Sequence, residues 1–223
     1  MRLTPGKAFM INKHTHLLAV IVFIFLSSPY FSSFHPKFPI ITFIFLLALM
    51  FILRTLKISR KVLWLCGGIG ATVFLLQLIL NFSNGSTLTV PLTLVVCGVY
   101  IIFLLLCIFL MGSELFKSTR VDLDAIVGGI NIYLLLGFLW ALLYYSIYDL
   151  DRQAFHFSSA PSTTYFFCFS LSTLSTIGFG DMFPINKWAM VLACFEGVTG
   201  QLFLAIFIAR LVSLHAMGRV EKT

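Results

Sequence analysis

Charge is nearly absent from this chain: Lys, Arg, Asp and Glu make up 10% of 223 residues, and only eight are acidic. A soluble domain of ordinary composition carries about a quarter charged residues, so water is not the main solvent of this sequence. Hydrophobic residues make up 60% and the mean hydropathy is +1.03. An integral membrane protein is expected, with little chain left for soluble domains. Cysteine is also scarce. Cys66, Cys97, Cys107, Cys168 and Cys194 all fall inside apolar runs and form no Cys-x-x-Cys pair, which excludes a disulfide framework and a zinc site and leaves small apolar packing residues. No nucleophile–base pair, metal cluster or nucleotide loop is present, so no enzyme and no organic cofactor are expected. The formal net charge of +7 invites a nucleic-acid partner, but the cations lie between apolar runs, where they set membrane topology instead.

Six apolar runs can cross a bilayer core of about 30 Å, which takes around 20 helical residues. They are Leu17–Phe34, Phe38–Leu53, Val62–Phe82, Leu88–Met111, Ala125–Tyr148 and Trp188–Leu214. The second is the shortest and depends on its flanks or on local thinning; a short hairpin containing Lys37, with Pro36 and Pro39 as breakers, separates the first two. With both termini inside, the inner segments hold Arg2, Lys7 and Lys13, the group Arg54, Lys57, Arg60 and Lys61, then Lys117 and Arg120, and last Arg210, Arg219 and Lys222. Lys37, Arg152 and Lys187 fall outside, and this asymmetry satisfies the positive-inside rule. A cleaved signal peptide is the competing view of the first run; that run is long and lacks an Ala-x-Ala-like site, which favours a retained helix. The sequons at Asn81 and Asn84 lie in a short outer loop and read as a polar turn around Gly85. Arg54, Lys57 and Lys61 share a helical face at an inner boundary, where they either hold anionic lipid headgroups or simply carry the topology signal.

The stretch that organises the chain is Ser175-Thr176-Ile177-Gly178-Phe179-Gly180-Asp181. Gly178 and Gly180 take positive φ at little cost, which lets the backbone turn carbonyls to one side. A row of carbonyls can replace the water shell of K⁺. The stretch resembles the selectivity filter of the potassium channel family, whose pattern is Thr-x-Gly-Tyr/Phe-Gly-Asp. The elements around it match that family's pore module in order: outer helix, re-entrant half-helix, filter, inner helix. Trp140, Tyr144, Tyr145 and Tyr148 form an aromatic belt at the outer end of the fifth run, and Asp149 to Ser162 reads as an extracellular turret. Pro161-Ser162-Thr163 starts a helix running to Ser175 that is too short to cross a bilayer.

The resemblance implies an all-α integral membrane fold of six transmembrane helices with a re-entrant pore helix and filter between helices five and six. It divides the chain into a four-helix bundle with an inner linker, residues 1–124, and a pore domain, residues 125–223. It implies K⁺ as the permeant ion, bound by carbonyls of Thr176, Ile177, Gly178 and Phe179, with the Thr176 hydroxyl at the inner end. Gly180 turns the outer mouth, Ser175 and Asp181 support the filter, and the Ile177 side chain packs outward into the pore helix. A symmetric homotetramer follows, because one segment cannot surround an ion. Two departures stand out: Phe179 replaces the commoner Tyr, and Phe166-Phe167-Cys168-Phe169 offers no indole to pair with Asp181.

In the sixth run Glu196 is a carboxyl at membrane depth, and such groups mark function by default. It either bonds behind the filter, faces the pore, or is a protonated structural acid. Gly197 and Gly200 sit where inner helices of the family bend, or else allow close helix packing. The fourth run contains no Lys or Arg, so the front helices cannot sense voltage by moving charge. Nine residues follow Leu214, too few for the nucleotide-sensing domains common in the family, so control is expected within the membrane part. His35, His156 and His215 read as loop histidines. The expected activity is passive K⁺ conduction, in a prokaryotic plasma membrane. A secondary transporter would carry several pore repeats, a silent regulatory subunit would carry a degraded filter, and a filter loosened by the missing indole would give a weakly selective cation channel.

Overall fold

The structure is a computed structural model and describes residues 13–32, 40–56, 59–82, 89–117 and 123–220. Lys57, the second sequon at Asn84 with Gly85, the Pro36 and Pro39 breakers, His35, Arg120 and Asp122 lie outside the described residues. Apolar chain in lipid must satisfy its own backbone hydrogen bonds, and a helix does so within one segment. The described runs are accordingly helical: α1 Lys13–Ser32, α2 Ile40–Thr55, α3 Arg60–Phe82, α4 Thr89–Lys117 and α5 Leu123–Leu150, then α6 Thr163–Leu174 and α7 Lys187–Val220. By length and composition four of these, α3, α4, α5 and α7, are able to cross a membrane, while the apolar stretches His14–Leu26 and Thr42–Thr55 are shorter.

The helix ends are built from local chemistry. Pro91 sits in the first turn of α4, where a missing N–H costs nothing. Asn186 caps α7, its Oδ1 accepting the Trp188 N–H at 2.9 Å. At the far end of α4 the Arg210 guanidinium of α7 donates to the carbonyl of Phe116 and lies 5.3 Å over its ring. That carbonyl is one of those a helix C-terminus leaves unbonded, so the C-terminal half of α7 is tied to α4.

One hydrophobic core runs through α1 to α5 and is centred on residues such as Leu17, Leu49, Ile52, Phe103, Leu104 and Leu135. It crosses the division at residue 124, because α1 packs on α5 as well as on α2. At the start of α5 the Asn131 amide donates to the His14 carbonyl at 2.8 Å, and Phe25 meets Phe167 of α6 edge-on at 5.3 Å. A second core is aromatic and gathers Tyr144, Phe155, Phe166, Phe167, Phe169 and Met182 around α6.

The turret holds a feature that three-residue segments could not announce. Phe155–Phe157 (β1) pairs antiparallel with Met182–Pro184 (β2), in the register Phe155 to Pro184, His156 to Phe183 and Phe157 to Met182. This ladder clips the chain before α6 to the chain after Asp181, and the His156 and Phe183 rings stack across it at 4.7 Å.

Candidate functional site

Helix α6 is short, buried and apolar on the side facing α5. Phe167 stacks on Phe138 at 4.2 Å and Phe169 meets Tyr144 edge-on at 5.0 Å. The phenylalanine run that lacks an indole is therefore an apolar anchor, with α5 on one side and Phe25 of α1 on the other. Gly137 allows this approach: a Cβ there would lie 2.6 Å from Leu171 Cδ2.

The chain leaves the C-terminus of α6 in a tight series of bonds. The Ser175 hydroxyl donates to the Leu171 carbonyl at 2.6 Å, and the Thr176 N–H to that of Thr173 at 3.0 Å. The Ile177 and Gly178 N–H groups both donate to the Ser172 carbonyl, at 2.8 and 3.3 Å. Ser175 thus closes the helix end from which the motif departs.

Beyond it the backbone reverses handedness at every second residue. Thr176, Gly178 and Gly180 have φ of 60, 61 and 78° and are the only positive-φ residues among those described. The two glycines do so cheaply. Thr176 does not, since a β-branched residue in this region is a strained outlier, and such strain is retained where the surroundings enforce it. Its positive φ is the site feature that sequence reasoning missed. Residues alternating in backbone hand align their successive peptide groups, the same geometry that lets a run of N–H groups form an anion nest.

All five residues from Thr176 to Gly180 are exposed on the single chain. Ile177 is 61% and Phe179 71% exposed. On its own chain most of the Ile177 side chain is left uncovered, short of the packing into α6 that the motif led one to expect. The C-terminal end of α6 lies behind this strand and presents the negative pole of its dipole.

Asp181 is braced differently from a carboxylate–indole pair. Its main-chain carbonyl accepts from the Ser158 N–H at 2.9 Å and the Ser158 hydroxyl at 3.0 Å. Among the described residues its carboxylate accepts only the neighbouring Met182 N–H, at 3.1 Å. Ser158 follows β1 directly, so the turret ladder and this pair of bonds hold the exit of the strand together.

On α7 the buried positions Ala189, Glu196, Gly200 and Phe207 lie along one helical stripe. Gly200 meets the end of α6: a Cβ there would fall 2.1 Å from the Leu174 carbonyl oxygen, whereas one at Gly197 would lie 3.8 Å from that of Thr173. One turn earlier Glu196, fully buried, bonds to Ser170 of α6 and accepts the Tyr144 hydroxyl of α5 at 2.6 Å. Of the positions open from sequence, the geometry puts Glu196 behind the strand among three helices, and gives Gly200 a close-packing role. Arg54 and Lys61 are exposed at the facing ends of α2 and α3, on two helices and not on the one helical face expected from sequence, and Lys57 lies outside the described residues.

Residues 132–216, running from within α5 into α7, match a family model described as ion channel. No curated protein matches the chain.

Proposed function

Starting from a chain whose residues 132–216 belong to the ion channel family of potassium-channel type, we propose that it is a potassium-selective channel conducting passively through a homotetrameric pore. The observation that carries this reading is the alternation of φ at Thr176, Gly178 and Gly180 in an exposed strand mounted on the end of α6. Such a strand offers the carbonyls of Thr176, Ile177, Gly178 and Phe179 as a row of ligands for a dehydrated K⁺, with the Thr176 hydroxyl below them. Ser175 and Asp181 fix its two ends.

Four copies follow from the chemistry of the ligand. One strand supplies carbonyls on one side only, and a closed cyclic ring supplies them all round. The exposure of Ile177 and Phe179, and of Trp188, Phe195, Leu202 and Ile206 along α7, supports a neighbouring subunit against these faces. The reading takes α6 as re-entrant, since its 12 residues are too few to span. It counts α1 and α2 among six spans with both termini on the cytoplasmic side of the plasma membrane. Burial of Leu17 and Ile21 in the shared core supports a first helix that is retained. The exposed Arg54 and Lys61 support the reading of an inner patch for anionic lipid headgroups; Lys57 belongs to it by sequence.

The test is ion flux from liposomes holding the purified protein, with K⁺, Rb⁺ and Na⁺ compared, beside the mass of the assembly in detergent. K⁺ and Rb⁺ flux without Na⁺ flux, from a particle of four chains, is the expected result. Equal Na⁺ flux, or a monomer that conducts, would refute it.

A further inference from the structure

The strongest unexplained feature is the polar cluster buried where α5, α6 and α7 meet. Glu196, Ser170 and Asn131 are each fully buried, but only Glu196 and Ser170 sit at this junction, with Tyr144. Ser170 Oγ lies 2.8 Å from the Gly137 carbonyl oxygen of α5 and also bonds Glu196 Oε1; Glu196 Oε2 lies 2.6 Å from the Tyr144 hydroxyl. These are three close oxygen–oxygen contacts, and each needs a hydrogen between its atoms to be attractive. Tyr144 and Ser170 supply one hydrogen each; a carbonyl and a carboxylate supply none. An ionised Glu196 leaves one contact without a hydrogen, two lone pairs facing each other in a buried site. A protonated Glu196 supplies the third and completes the set: Tyr144 donates to Oε2, the Glu196 hydroxyl donates to Ser170 Oγ, and Ser170 donates to the Gly137 carbonyl.

Charge points the same way. Among the described residues no basic side chain bonds Glu196; its partners are the two hydroxyls. The other titratable groups that face the cluster are Tyr133 of α5 and Cys194 of α7, and neither supplies a positive charge. From α6 the contact is the Ser170 hydroxyl. A buried carboxylate with no countercharge is costly in an apolar interior, and the group takes up a proton instead.

We propose that Glu196 is a positioning residue held as a neutral carboxylic acid, its proton joining α7 to α6 and so fixing the base on which the strand 176–180 stands. The contact is placed to do this. Ser170 and Leu174 are one turn apart on α6, and their partners Glu196 and Gly200 are one turn apart on α7. Between them Ser172 holds the Ile177 and Gly178 N–H groups through its carbonyl. Removing the proton breaks the chain of bonds two residues from that carbonyl. In its effect on flux this inference rests on the channel reading; the protonation state itself does not.

The test pairs a spectroscopic readout with flux, on the full chain in lipid. Infrared spectra of wild type and Glu196→Gln at neutral pH are expected to differ by one protonated-carboxyl C=O band, present in wild type and absent in the variant. Glu196→Gln keeps a donor and an acceptor, so its K⁺ flux and melting midpoint should stay within about twofold and a few degrees of wild type, while its flux no longer falls at alkaline pH as that of wild type does. Glu196→Ala and Ser170→Ala should lose about tenfold in flux, the scale of leaving buried partners unsatisfied. If Glu196→Ala does not fold, the infrared band and Glu196→Gln decide alone. Absence of the band, or a Glu196→Gln as impaired as Ser170→Ala, overturns the proposal while leaving K⁺ conduction intact. A band that is present in a protein that conducts no ion upholds the neutral acid and overturns the channel reading instead.

Discussion

The core shared by α1 to α5 and the core around α6 are assembled from different materials. In the first, aliphatic side chains such as Leu49, Ile52 and Leu135 meet Phe103, and cysteines fill small gaps. Packing sets most of the fit there, with one buried polar contact, Asn131 to the His14 carbonyl, joining α5 to α1. In the second, Phe166, Phe167 and Phe169 of α6 pack among Tyr144, Phe155 and Met182, and at its edge a carboxyl and two hydroxyls are sealed into the helix junction. Lipid gives a helix bundle no hydrophobic force to bring its helices together, so close packing and polar bonds carry the specificity. Where packing dominates, a change of volume costs stability without changing which groups are bonded. Where a glycine admits a backbone carbonyl, or a hydroxyl has a single acceptor, there is one arrangement. Three of the buried polar groups, Ser170, Ser172 and Glu196, gather beneath the strand 176–180, and that is where substitutions should change conduction.

Replacements ranked by their expected effect on K⁺ flux sharpen this contrast. Gly178→Asp places a side chain at φ of 61° and a charge beside the ion path, and flux should vanish while the protein still assembles, as size exclusion would show. Gly200→Ala sets a methyl group 2.1 Å from the Leu174 carbonyl oxygen; backbone cannot step aside as a side chain can. Overpacking of this kind costs about 1–3 kcal/mol, and flux and melting midpoint should both fall. Gly197→Ala, with 3.8 Å of room, should be near wild type in the same assays. Leu49→Ala empties a fully buried site in the other core. It should lower the melting midpoint, at a cost of about 2–5 kcal/mol by analogy with soluble cores, yet leave the ratio of K⁺ to Na⁺ flux unchanged. A changed ratio would show that the two cores are not separable. A small effect, just above that of Gly197→Ala, belongs to Ser158→Ala, which removes the hydroxyl bond to the Asp181 carbonyl and keeps the N–H bond. A net hydrogen bond contributes about 0.5–1.5 kcal/mol, so selectivity should weaken slightly, measurable as a small rise in Na⁺ flux.

The helices were legible because a lipid-solvated chain has few options: each long apolar run formed a helix, with most ends within four residues of those read from composition, while α4 and α7 run six residues further, to Lys117 and Val220. Positive φ at Gly178 and Gly180 was legible because glycine has little other reason to recur there. Thr176 was not, because its side chain argues against the conformation that its surroundings impose. The β1–β2 ladder was hidden by its length, three residues on each side, below what alternation can reveal. Glu196 announced itself as a carboxyl at membrane depth, but its partners lie 26 and 52 residues away, and periodicity does not say which helix faces meet. The same nonlocality made Gly200 ambiguous between a bend and a close contact until Leu174 was placed beside it. Ile177 taught the reverse lesson, since its packing is not supplied by its own chain.

The most direct test of the account is the flux ratio in liposomes, wild type beside Gly178→Asp. The account predicts K⁺ and Rb⁺ flux with Na⁺ excluded in wild type, and none of the three in the variant. Na⁺ passing as readily as K⁺, or flux that survives the substitution, would contradict the claim that the alternating strand is the ion path.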